Sequence, residues 1–160
     1  MSLVTDIVGT YRGPRRVVRR ILAAGVREDR ALVILMAGCA VMFVAQWPKL
    51  AREAHLTGAE LNPMLGGALL AWLFLMPLAF YAVALLSHWV LRVMGGQGVA
   101  YATRIALFWA LLASGPLVLL WGLLAGFVGS GPGLNAVGAV WLAVFLWFWL
   151  SGLAEARRVT

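Results

Sequence analysis

Few residues in this chain are able to do chemistry. Two histidines, one cysteine and six carboxylates are all its imidazole, thiol and acid groups among 160 residues. Enzyme sites within membranes announce themselves by ionisable groups inside apolar segments, where such groups are costly and rarely retained without use. Between the ends of the long apolar runs here, the polar groups are Cys39, Tyr81, Ser114 and the tryptophan indoles. No His-Glu-x-x-His, no pair of carboxylates and no Ser/His/Asp set is present. Cys39 reads as a small packing residue, because a thiol in apolar surroundings stays protonated. His88 stands at the end of an apolar run, where hydrogen bonding to a carbonyl or a headgroup is a simpler role than ligation of a haem or chlorophyll. The expectation is a non-enzyme with no metal and no cofactor.

Two further motifs invite a chemical reading. Gly95-Gly96-Gln97-Gly98 is rich enough in glycine to suggest a phosphate cradle. It lacks the lysine, the following Ser/Thr and the preceding strand of such a loop, so it reads as a tight reversal between helices. The second motif is a block of arginines: Arg12, Arg15, Arg16, Arg19, Arg20, Arg27 and Arg30 all precede the first long apolar run. In a soluble chain this block would point to nucleic acid. Beside a membrane span the natural partner is anionic phospholipid, with Arg12, Arg15, Arg16, Arg19 and Arg20 as headgroup-binding residues.

The elements that must position these groups follow from composition. The chain is 63% hydrophobic and 12% charged, with a formal net charge of +7; soluble domains carry about 25% charged residues. An all-α membrane protein of a single domain is expected, a bundle of four transmembrane helices preceded by an amphipathic in-plane helix. Residues 1–25 form the amphipathic segment. Val17, Val18, Ile21 and Leu22 share one face and Arg15, Arg16, Arg19 and Arg20 the other, which suits a helix lying in the membrane surface with its apolar stripe in the acyl boundary. No cleavable leader is read in the first residues. The spans are expected at about 31–47 (ended by Pro48), 64–91, 105–127 and 134–153, with a polar connection over 49–62. Pro77 and Pro116 fall mid-span and predict kinks. Gly122 and Gly126 form a GxxxG pair that suits close helix packing, within the chain or in a homo-oligomer.

Four spans place the connections alternately on two sides. Of the 13 basic residues, all but Lys49 and Arg52 fall on the side of the amino-terminal segment, the 92–104 loop and the tail. The positive-inside rule then puts both termini in the cytoplasm of a bacterial inner membrane. His55 and His88 end on opposite sides and cannot share a metal.

The basic amphipathic start, the opening Arg30-Ala31-Leu32, the Gly95–Gly98 loop and Ser114-Gly115-Pro116 at mid-span resemble the bacterial branch of the Yip (Ypt-interacting-protein) family. The string from Ala106 to Ala113 and the Trp149–Leu153 ending are similar to alphaproteobacterial members. The resemblance implies a single membrane domain over 1–160 and commonly a fifth span, which this sequence does not show. Eukaryotic relatives bind small GTPases, but their Asp-Leu-Tyr-Gly-Pro-like signature is absent here. The expected function is that of a non-catalytic accessory or scaffold subunit, binding lipids and other integral membrane proteins of a larger complex. A small transporter or channel component with proline-kinked helices is the alternative.

Overall fold

The computed structural model describes residues 3–96 and 98–157, and among these there are helices and turns but no strand. Two short helices come first, α1 (Leu3–Thr10) and α2 (Pro14–Ala23). The first long helix is α3 (Glu28–Thr57). Then α4 (Leu61–Leu70) passes through a π-helical turn (Ala71–Leu75) into α5 (Met76–Val93). The last three are α6 (Ala100–Ala113), α7 (Gly115–Phe127) and α8 (Pro132–Ala156). Three helical stretches are long and apolar enough to cross a membrane: α3, α4 through α5, and α8. The pair α6 and α7, bent by 41°, qualifies as a fourth when taken together.

The helix α3 begins where Glu28 and Asp29 complement the positive end of its peptide dipoles. It does not stop at Pro48, contrary to the sequence expectation, but runs on to Thr57, so most of the expected 49–62 connection is helical. The proline removes one N–H, yet its ring lies against Gly126 of α7: a Cβ built on that glycine would come within 2.4 Å of the Pro48 Cβ. Packing there holds a path that an isolated helix would abandon. The actual stop is Gly58, whose φ of 73° is the left-handed conformation of a helix end.

Along α3, Ala31, Ile34, Leu35, Gly38, Cys39, Met42 and Ala45 recur at helical spacing and are buried. That stripe faces α6 and then α7, which lie beside it in parallel: Gly38 meets Leu111, Gly115 meets Val41, Gly122 meets Ala45 and Gly126 meets Pro48. The GxxxG face is thus used within the chain, where the missing Cβ atoms let two backbones touch. On its other side α6 meets α8 antiparallel, with Gly152 against Ala106.

Helix α6 is the centre of the molecule. Every residue from Ile105 to Ala113 is buried, as are Tyr101, Ala102 and Thr103. It is surrounded by α1, α2, α3, α5 and α8. The expected kinks take distinct forms. Pro77 stands at the start of α5, directly after the π-helical turn. Pro116 begins α7 after Ser114 has closed α6, so the third expected span is two helices rather than one bent rod. Ser114 Oγ donates to the Leu111 carbonyl at 3.0 Å and accepts from Trp141 Nε1 at 3.2 Å, so the hydroxyl knits the break to α8.

Candidate membrane-surface site

Gly13 and Pro14 separate α1 from α2, and Pro14 occupies a first-turn position where its missing N–H costs nothing. The arginines of α2 sort as expected. Val17, Val18, Ile21 and Leu22 are buried, while Arg15, Arg16, Arg19 and Arg20 lie outward, with Arg12 exposed in the preceding turn. The structure differs in what covers the apolar stripe. It packs on α6 and α8, not in an acyl boundary, and is 1–9% exposed. Protein hydrocarbon takes the place expected for lipid.

Polar contacts fix this layer in place. Arg19 donates through Nε at 3.2 Å and Nη2 at 2.9 Å to the two carboxylate oxygens of Glu155, near the end of α8. The Glu155 side chain is 4% exposed and that of Arg19 63%. The hydrogen bond to Glu155 and its charge raise the Arg19 guanidinium further above its ordinary value. Arg20 pairs with Asp6 of α1. Deeper in, Tyr11 donates its hydroxyl to the Ala113 carbonyl at 2.7 Å, and its ring meets Phe148 edge-on at 5.0 Å. Burial pushes the Tyr11 phenol up from its ordinary range. Trp109 Nε1 donates to Thr10 Oγ1 at 3.0 Å, and that hydroxyl donates to the Asp6 carbonyl at 2.7 Å.

The Tyr11 contact has a particular cause. At the α6–α7 break the Leu117 N–H turns to Ser114 instead of Ala113, leaving the Ala113 carbonyl without its ordinary helical donor. Tyr11 supplies one from the other end of the sequence.

The same contacts define the ends of the bundle. Glu28 pairs with Arg104, and Arg19 with Glu155, so the starts of α3 and α6 and the end of α8 gather beside α2. At the other end Arg52 donates to the carbonyls of Gly126 and Phe127, and Lys49 sits 5.7 Å from the centre of the Trp121 ring. His55 is near that far end, whereas His88 lies on α5 toward the near one. Gly95, with φ 88°, makes the reversal between α5 and α6, while Gln97 falls outside the described residues.

Of the five headgroup-binding candidates, Arg12, Arg15 and Arg16 make no ion pair among the described residues, whereas Arg19 and Arg20 are tied to acids of the protein itself. Thr10, Tyr11, Trp109 and Glu155 carry the attachment of this layer and were not singled out by sequence reasoning. The one available signal was the Thr10-Tyr11 pair, one residue ahead of Gly13-Pro14.

No protein-family model, no curated protein and no solved structure matches this chain. The class established is therefore an all-helical chain with three to four segments able to cross a membrane.

Proposed function

We propose that the chain is a non-catalytic accessory or scaffold protein of a bacterial inner membrane, with both termini in the cytoplasm, that binds anionic phospholipids and other integral membrane proteins. The likeness to bacterial Yip proteins rests on the residues quoted above and brings no activity with it. The observation that carries the proposal is the attachment of α2. Its apolar face is locked onto α6 and α8, so Arg12, Arg15 and Arg16 are held outward as a fixed basic surface. Guanidinium groups next to a bilayer attract anionic headgroups at about 1 kcal/mol each. The broad apolar faces of α5 (Leu78, Leu85, Leu86, Trp89, Val90) and α8 (Val140, Leu142, Leu150) suit lipid or the spans of a partner.

Purification in a gentle detergent tests the accessory role: a stoichiometric membrane partner is expected, and a protein that runs alone counts against it. Reporter fusions test the topology. A periplasm-active enzyme is expected to be silent after Thr160 and active when inserted near Thr57; activity at Thr160 sinks the orientation.

The broken span supports a second reading, a small transporter or channel component. The 41° bend between α6 and α7 and the π-helical turn before Pro77 are discontinuities of the kind that line substrate paths. If Pro77→Ala and Pro116→Ala leave the flux of reconstituted protein unchanged, that reading loses its support.

A further inference from the structure

Beside the starts of the spans, a cleft of about 480 Å³ opens between α1, α2 and the first turns of α3. Its upper wall carries Arg20, Arg27 and Arg30 together with Asp6 and Asp29. Arg20 pairs with Asp6, and Arg27 with Asp29 at 3.1 Å, while Arg30 makes no ion pair among the described residues. Three guanidiniums against two carboxylates leave one positive charge. The deeper lining is apolar, made of Val33, Ile34 and Trp109. Val33 and Ile34 stand three and four positions after Arg30, so they lie one turn deeper on the same face of α3. Val33 is 66% exposed and continues into the outward apolar surface of the first span. The cleft is thus cationic where headgroups lie and apolar where acyl chains begin. Its volume is within the roughly 300–1,000 Å³ usual for small-ligand sites.

We infer that this cleft holds one anionic glycerophospholipid, its phosphodiester between Arg27 and Arg30 and an acyl chain along Val33. The single surplus positive charge matches a headgroup of one negative charge and no amine, as in phosphatidylglycerol. Guanidinium forks suit phosphate oxygens better than ammonium points do. The inference rests on the membrane reading above but uses different residues: Arg12, Arg15 and Arg16 form a surface for many headgroups, whereas this is a site for one molecule.

The test is native mass spectrometry of protein extracted from membranes and exchanged into vesicles of phosphatidylcholine containing either phosphatidylglycerol or phosphatidylethanolamine. Recovery in the membrane fraction reports on the membrane reading; lipid retained after extraction reports on the cleft. One phosphatidylglycerol per chain is expected, at levels well above either other lipid. Each guanidinium removed should lower retention about fivefold, so Arg27→Gln with Arg30→Gln lowers it roughly twenty-five-fold. Lys49→Gln, beside Trp121 at the other end of the bundle, leaves it unchanged. Asp29→Asn should raise retention, a direction that misfolding does not produce. Free sn-glycerol 3-phosphate should fail to displace the lipid. The inference is overturned by equal retention of the three lipids, by retention indifferent to Arg27 and Arg30, by retention that does not rise in Asp29→Asn, or by displacement with the free phosphate ester.

Discussion

Replacing Gly122 by alanine is the most direct probe of how α7 is seated. A Cβ on Gly122 would lie 2.0 Å from the Ala45 carbonyl oxygen and 2.9 Å from its carbon, where ordinary contact begins near 3.4 Å. Both obstacles are backbone, so no side chain can swing away. Helix α7 must retreat from α3 by about 1.4 Å, the shortfall between those two distances. A gap of 0.5–1 Å already forfeits about a quarter to a half of each dispersion contact, and Gly126 against Pro48 belongs to the same seam. Overpacking of this kind costs about 1–3 kcal/mol, and the backbone obstacle places Gly122→Ala toward the upper end. A loss of about 2.5 kcal/mol lowers the folding equilibrium roughly sixtyfold. Equilibrium unfolding in mixed micelles, followed by tryptophan fluorescence, measures it. Gly66→Ala on α4 is the matched control, since a Cβ there meets nothing within 4 Å. It should be neutral or stabilising by up to about 1 kcal/mol. An unfolding free energy for Gly122→Ala within about 0.5 kcal/mol of the parent, a size typical of surface changes, refutes the seam; so does an equal loss in Gly66→Ala. The double change Gly122→Ala with Gly126→Ala should cost less than the sum, because one displacement relieves both clashes.

Other outcomes follow from single contacts. Tyr11→Phe keeps the edge-on meeting with Phe148 but leaves the Ala113 carbonyl without its donor, and should cost about 1–2 kcal/mol in the same unfolding assay. Arg52→Gln removes the donors to the Gly126 and Phe127 carbonyls and should hasten hydrogen exchange at Val128 and Gly129 while leaving α6 protected. Cys39 is fully buried in the seam between α3 and α6, so a maleimide should label it only after SDS unfolding. Labelling of the folded protein in mild detergent would contradict that packing.

The helices themselves were legible in the sequence, because apolar length and the Gly and Pro punctuation are local properties. What covers each helix was not. The stripe Val17, Val18, Ile21, Leu22 demands an apolar neighbour, and acyl chains and protein side chains meet that demand equally well. The same ambiguity hid the position of α6: a segment apolar on every face reads alike whether lipid or five other helices surround it. Pro48 was misread as a stop for a related reason, since the room for its ring is supplied by Gly126, far along the chain. The arginines of α2 were read onto the outward face where they lie, but the capture of Arg19 by Glu155 depends on a residue 136 positions away. Arg27 and Arg30 were read only as part of a topogenic charge block, because the cleft they line exists only once α1 has folded back on α2 and α6.

The place of α6 bears on the order of biosynthesis. Helices α1 and α2 leave the ribosome before the surfaces that receive them, on α6 and α8, have been made. Until Glu155 emerges, Arg19 lacks this partner, and the stripe of α2 has no α8 to rest on. During synthesis that stripe must wait against lipid or a chaperone, which is the arrangement its sequence alone suggested. Helix α8 therefore completes the seat of α2, which is made well before it.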